Sequence, residues 1–233
     1  MINIVFDHAD FVVVHKPAGI AVHAHESTTL LEQVRSHFNS EVIHPVHRLD
    51  MATSGLLILA KTAAANKAFC LMFAAGQVQK MYLALSDGPV KKKQGWVKGD
   101  MAKARGGSYK LLRSTLNPAV TYGISFGEVN QPRLWWLRPK TGKTHQLRVA
   151  LKSLTASILG DERYGGGTAD RLYLHAWGLR FNYARESFDL CAWPNTGSHF
   201  DALAQAGRMQ GGDNPWDLAW PKALNVEQEA AKP

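Results

Sequence analysis

The run Gly55-Leu56-Leu57-Ile58-Leu59-Ala60 constrains the fold more than any other segment, because a short, unbroken apolar stretch reads as a buried strand. Such a strand needs sheet partners, and several segments offer themselves. Phe11-Val12-Val13-Val14-His15 is β-branched and ends at Lys16-Pro17-Ala18-Gly19, a strand running into a turn. Residues 80–85 alternate like a strand, and 119–126 and 133–138 read as two more joined by a polar turn. Leu172-Tyr173-Leu174 and Phe188-Asp189-Leu190 read as short strands. Helices are expected from Thr29, where Thr29-Leu30-Leu31-Glu32 has capping-box spacing, to about Ser40. Others are expected over 62–75 (ended by Gly76), 144–154 and 200–209. Strands and helices interleave irregularly, which predicts an α+β fold on a mixed, largely antiparallel sheet flanked by helices and loops. We expect one domain over residues 1–210. A tail follows over 211–233, with Trp216 and Trp220 as docking anchors.

The chain has 233 residues, 45% of them hydrophobic, enough for a sizeable core without staples. No apolar run approaches the roughly 20 residues a membrane helix needs, and the N-terminus lacks signal-peptide features. The two cysteines, Cys70 and Cys191, lie far apart, so a disulfide framework is not indicated and a cytoplasmic setting is expected. Lys plus Arg exceed Asp plus Glu by 27 − 19 = 8, which favours a polyanionic partner. Eight of those cations crowd residues 91–113 against a single acid, Asp100. That stretch reads as a basic loop: either a solvated one, or one that grips phosphates, with Trp96 and Tyr109 against bases and Gly106-Gly107 as a pivot.

Several segments carry candidate chemistry. His47-Arg48-Leu49-Asp50 precedes Thr53-Ser54-Gly55 and the buried strand, so Asp50 stands in a turn at the mouth of a sheet. It reads either as a catalytic carboxylate or as an acid capping its own turn through Thr53 or Ser54. A kinase loop is rejected, since there is no Gly-rich phosphate loop and no Asp-Phe-Gly. Thr141-Gly142-Lys143-Thr144 mimics a P-loop ending, but Leu137 stands where its first glycine belongs. The following His145-Gln146-Leu147-Arg148 puts polar groups on the first turns of a helix, where anions are favoured. The ten histidines, among them His23-Ala24-His25, His44 and His47, offer no convincing third zinc ligand, so no metal is expected. Lys16 suggests an imine-forming lysine, but no cofactor motif accompanies it.

Taken in order, these segments resemble the RluA-type pseudouridine synthase family over most of the chain. The resemblance rests on Val14-His15-Lys16-Pro17-Ala18-Gly19 with Val22-His23, on His47 through Gly55 running to Ala60-Lys61, and on Lys80-Met81-Tyr82-Leu83-Ala84. It continues through Thr141 to Arg148, Gly160-Asp161-Glu162-Arg163-Tyr164-Gly165 and Leu174-His175-Ala176-Trp177 with Leu179-Arg180-Phe181. It implies the family's catalytic fold and an isomerase that converts uridine in RNA to pseudouridine. Asp50 would attack the nucleotide or otherwise drive glycosidic cleavage. Tyr82 would stack on the base and assist proton removal, Arg148 would pair with Asp50, and Arg48 would fill the space left by the flipped nucleotide. His47, Thr53, Lys80, His145, Gln146 and Leu147 are expected to contact RNA or substrate. Ala150, Thr155 and Ser157 depart from the family pattern beside the arginine motif, which bears on substrate identity more than on catalysis.

The resemblance also implies that the chain begins at the catalytic domain, so RNA grip is expected from that domain, with residues 91–113 as the leading candidate and Lys91, Lys92 and Lys93 as the residues whose neutralisation tests it. The partner expected is ribosomal or transfer RNA, with no membrane, no obligate protein partner and no cofactor, and the protein acting as a monomer. Two rivals stay open: a non-catalytic RNA-binding module of the same fold, and a nucleoside-cleaving enzyme that releases free uracil.

Overall fold

A computed structural model describes residues 2–23, 29–127, 131–207 and 214–224. Its strands are β1 (Asn3–Asp7), β2 (Phe11–Lys16), β3 (His44–Pro45), β4 (Ser54–Ala60), β5 (Gln79–Ser86), β6 (Gln94–Gly99), β7 (Met101–Lys103), β8 (Tyr109–Leu111), β9 (Ala119–Phe126), β10 (Arg133–Pro139), β11 (Leu174–Tyr183) and β12 (Glu186–Cys191). The helices are α1 (Leu30–Phe38), α2 (Ala63–Ala74), α3 (Gln146–Ser153) and α4 (Ser198–Gln205).

Every residue of β4 is buried, as its apolar run demands, because both of its faces are covered. Leu56, Ile58 and Ala60 pack with Phe11 and Phe181 beneath Phe69 of α2, while Leu57 and Leu59 meet Leu30, Leu31 and Val34 of α1. The main sheet runs β1-β2-β4-β11-β5-β10-β9-β6, with β12 on β11 and β3 on β4. All described pairings are antiparallel except β4 with β11, which run parallel through Ser54–His175 and Gly55–Ala176. Gly55 permits that pairing: its φ is +116°, and a Cβ there would stand 2.2 Å from the Ala176 carbonyl oxygen. The fold is therefore α+β on a mixed, mostly antiparallel sheet. A third core joins β5 and β10 to α3 and α4 through Leu83, Trp135, Leu151 and Phe200.

Helix α1 opens on the capping box that its spacing predicts. The Thr29 hydroxyl accepts from the Glu32 N–H, and the Glu32 carboxylate accepts from the Thr29 N–H. Asn39, in the left-handed region, closes it two residues short of the expected end. The largest correction concerns residues 91–113, of which 94–111 are mostly ordered strand rather than loop. They form the edge strand β6, paired with β9, and the small β7–β8 hairpin. Strands β1 and β3 were not anticipated, and β11 runs far beyond the short strand read around Leu174. The expected polar turn before Arg133 falls partly outside the described residues, as do Met209 at the end of the last helix, the His23-Ala24-His25 segment past His23, and the tail's first residues.

Candidate active site

The turn that carries Asp50 is closed by backbone, since the Thr53 N–H donates to the Asp50 carbonyl at 3.0 Å. The Asp50 carboxylate is thus not spent on its own turn. The turn is pinned from beneath by Lys16, which is fully buried and donates to the carbonyls of Pro17 (2.8 Å), Ile20 (2.7 Å) and Met51 (2.9 Å). An ammonium has three protons, and all three are used, so Lys16 fixes the turn rather than forming an imine. Burial, and then the Arg171 charge, pull its pKa down to about 8. The Gly19 N–H adds a further bond to the Met51 carbonyl at 2.9 Å.

Arg148, in the first turn of α3, faces Asp50 with Nη1 3.3 Å from Oδ2. Its Nε and Nη2 form a fork on Asp161, both at 2.8 Å, and the Asp161 side chain is wholly buried. Burial alone pulls the Arg148 pKa down; the bonds to Asp161 and then Asp50 outweigh it, so the net shift is upward. The Tyr164 ring lies 5.0 Å beneath the guanidinium. Its hydroxyl accepts the Tyr109 N–H at 3.0 Å and bonds His145 Nδ1 at 2.8 Å. His145 sits just before α3 at φ +58°, unusual for a non-glycine residue, and its Nε2 is 3.9 Å from Asp50. The β7–β8 hairpin therefore leans on the same cluster that orients the Asp50 carboxylate.

Tyr82 of β5 and Arg148 line one cleft, together with Arg48, Leu49, Asp50, Thr53, Lys80, Thr141, Lys143, His145, Gln146, Leu147 and Leu174. Burial, and then the charge of Asp50, raise the Tyr82 pKa, so the phenol stays protonated. Lys80 donates to the Thr141 carbonyl at 3.4 Å, and burial lowers its pKa to about 8. A protonated aromatic, an arginine-paired carboxylate and three further cationic side chains, Arg48, Lys80 and Lys143, thus converge on one opening.

Residues 10–153 match the family model described as RNA pseudouridylate synthase. The chain belongs to the RluA-type RNA pseudouridine synthase family. It is 46% identical to an uncharacterized RNA pseudouridine synthase of Haemophilus influenzae over 84% of this chain and 89% of that protein. It is 33% identical to a ribosomal large subunit pseudouridine synthase D of Borreliella burgdorferi, over 80% of this chain and 63% of that one. A tRNA pseudouridine synthase C of Vibrio vulnificus is 31% identical over 78% of this chain and 85% of its own length. Among solved structures, human RNA pseudouridylate synthase domain containing 1 superposes with a TM-score of 0.69 at 27% identity, covering 92% of this chain and 97% of that one. The chain is an enzyme, an isomerase of RNA uridine.

Within this pseudouridine synthase, the other residues expected at the site divide into two groups. Arg48 is exposed at the rim, while Thr53 and Leu147 are buried in the wall. His47 does not line the cleft. Its Nε2 accepts the Ile58 N–H at 2.9 Å, and its ring stacks on Phe73, which ties the Asp50 turn to β4. Burial, and then Lys80, lower its pKa to about 3, so this ring is neutral. Gln146 does line the cleft, but its buried amide is engaged within the wall. It accepts from Thr141 Oγ1 (2.7 Å) and the Lys143 N–H (3.0 Å), and donates to Val120 O and Thr121 Oγ1, stitching the loop before α3 onto β9. Lys91, Lys92 and Lys93 are exposed but stand apart from the cleft: the Lys91 N–H donates to Leu154 O at the far end of α3. Eight residues of helix separate that end from His145, roughly 12 Å. Asp161 and Tyr164 had no individual role in the sequence reading. Both stand in the Gly160–Gly165 motif, yet nothing in the spacing shows that they face Arg148. Among the described residues, no three His, Cys, Asp or Glu side chains cluster to hold a metal, and no helix is long and apolar enough to cross a membrane.

Proposed function

We propose that this pseudouridine synthase isomerises specific uridines in structured RNA, ribosomal or transfer, with Asp50 driving glycosidic cleavage and rejoining. The observation that carries the reading is the Asp50 carboxylate itself: spared by its turn, 3.3 Å from a doubly anchored arginine, and lining one cleft with Tyr82. A uridine in folded RNA must leave its stack to reach such a cleft, at roughly a few kcal/mol. Arg48 at the rim is placed to fill the gap, since a planar guanidinium keeps its charge while stacking. Arg148 holds a fixed positive charge 3.3 Å from the Asp50 carboxylate as the cleft dries around the nucleotide. Asp50 then drives cleavage of the bond between the sugar and N1. The freed uracil turns against Tyr82, which holds it close, and the sugar rejoins through C5. The C5 proton leaves and N1 gains one, so the reaction needs no external oxidant, reductant or water. Because its phenol is held protonated, Tyr82 acts as platform and hydrogen-bond partner, not as a standing phenolate.

Support for an RNA of either class comes from relatives named for large-subunit ribosomal RNA and for transfer RNA. The enzyme works in the cytoplasm on this reading, as a monomer and without a cofactor. The test is incubation of wild type and Asp50→Asn with cellular RNA, followed by mapping of pseudouridine. Wild type should install it at defined positions and Asp50→Asn should install none. Activity surviving in Asp50→Asn refutes the assignment; free uracil released by wild type favours nucleoside cleavage instead.

A further inference from the structure

A second groove opens beside the Asp50 cleft and shares Lys80, Pro139 and Thr141 with it. One side is the sheet edge, where Trp96 and Lys98 of β6 lie near Arg138 of β10 and Lys140. The other side is the end of α2 and the residues leading into β5. Ala223 and Leu224 complete the wall, tied down where Lys140 Nζ donates to the Ala223 carbonyl (2.7 Å) and Arg138 Nη2 to the Leu224 carbonyl (3.1 Å). Four cations line this groove and no carboxylate does. Lys98 and Lys140 are exposed, and the Trp96 ring is half-buried, edge-on to Tyr122, with the Lys98 ammonium 5.0 Å from its centre.

A half-buried indole with a flexible lysine over its ring, flanked by cations in a groove lined by no acid, suits a polyanion with planar bases. An acidic peptide would satisfy the charges but leave the ring unused. The groove's continuity with the Asp50 cleft fixes which part of the polyanion enters it. We propose that it takes the RNA strand flanking the target uridine. Trp96 stacks on a neighbouring base, and Lys98 and Lys140 meet its phosphates. This rests on the reading of Asp50 as the centre of an enzyme acting on RNA. It narrows the grip expected of residues 91–113 to Trp96 and Lys98, adds Lys140, and leaves out Lys91, Lys92 and Lys93, which stand outside the groove.

The test compares three proteins: wild type, the triple variant Trp96→Ala/Lys98→Ala/Lys140→Ala, and Lys91→Ala/Lys92→Ala/Lys93→Ala. Each is titrated against a fluorescein-labelled oligouridylate of about twelve nucleotides across a KCl series, and assayed for pseudouridine formation in total cellular RNA. The groove variant should bind about tenfold more weakly or worse, with a log–log salt slope smaller by about 1.4, the value for two lost phosphate contacts on a single strand. The second variant should stay within about twofold of wild type. Should loss of Trp96 or of the Lys140–Ala223 tie compromise the fold, Lys98→Ala alone removes an exposed side chain and must still lower the slope, by about 0.7. A groove variant that binds with wild-type affinity and slope overturns the inference, as does wild type that fails to bind the oligouridylate at low salt. In either case, pseudouridine formation by wild type leaves the Asp50 reading standing. Groove-dependent binding without any pseudouridine formation sinks the Asp50 reading and supports the groove.

Discussion

Arg148 divides its donors unequally between two carboxylates, with two bonds of 2.8 Å to buried Asp161 and one of 3.3 Å to the partly exposed Asp50. The tighter pair sets the orientation, and the looser one leaves Asp50 available for chemistry. Asp161→Asn keeps the shape but removes the charge, leaving a largely buried guanidinium underpaired. Breaking such a pair costs about 3–5 kcal/mol. In a chain of this size we therefore expect the Tm to fall by roughly 6–20 °C, alongside loss of most pseudouridine formation; a calorimetric scan showing an unchanged Tm contradicts the anchoring role. Lys80 gives a second expectation. Its folded pKa is lowered to about 8 from the ordinary lysine value of 10.5, so between those pH values the unfolded chain holds the extra proton. Stability must then gain from Lys80 as pH rises through that window, and Lys80→Met should remove that gain. Denaturant melts of both proteins at pH 7.5 and pH 10 check it; identical pH dependence would show that Lys80 is not buried at a cost. At this scale, Asp50, Tyr82 and Arg148 could be singled out because each stands in a local motif, and the fold brings the three to one cleft. Asp161 was not, since its partner lies 13 positions back and meets it only through the fold. His47 shows the converse: a motif names the residue but not the direction its ring takes, here toward the Ile58 N–H.

Among the elements, β4 and α1 were legible because each carries its own signal, an unbroken apolar run in one and a capping box in the other. β6 was not. Gln94-Gly95-Trp96-Val97-Lys98-Gly99 holds two glycines and an exposed lysine, and it is a strand because β9 offers it a complete antiparallel partner. β11 was read short because its pairing with β5 slips between Ala176 and Gly178, which breaks the alternation a sequence reading depends on. The parallel join of β4 to β11 is the point where element geometry bears most directly on the site, since β4 follows the Asp50 turn. Gly55→Ala should force apart the backbones that meet there. Strain at positive φ and the clash with Ala176 together should cost about 3 kcal/mol or more. A Tm within about 2 °C of wild type would mean that the pairing is looser than its register implies.

For the molecule as a whole, the decisive question is whether the C-terminal segment is an appendage or part of the body. The sequence pointed to Trp216 and Trp220 only as anchors, without a place to dock. Trp216 is buried in the same core as Trp135, Leu151 and Phe200, beside Trp177, with the Arg138 and Arg180 guanidinium groups 5.2 and 4.5 Å from its ring. Gly178 leaves room for it, since a Cβ at that position would stand 3.0 Å from the indole. The Trp220 indole N–H donates to the Pro215 carbonyl at 2.7 Å, which holds the segment in the shape that carries Leu224 to Arg138. We expect a body fastened in this way to unfold together with its fastening, in one transition. Trp216→Ala should therefore cost about 3–5 kcal/mol, as deletion of a buried tryptophan does, and move the single unfolding transition down by roughly 6–20 °C. It should also weaken oligouridylate binding, because Ala223 and Leu224 form part of the groove wall. If the main transition stays in place and only a small, separate one is lost, the segment is an appendage, and the groove must owe its shape to the sheet edge alone.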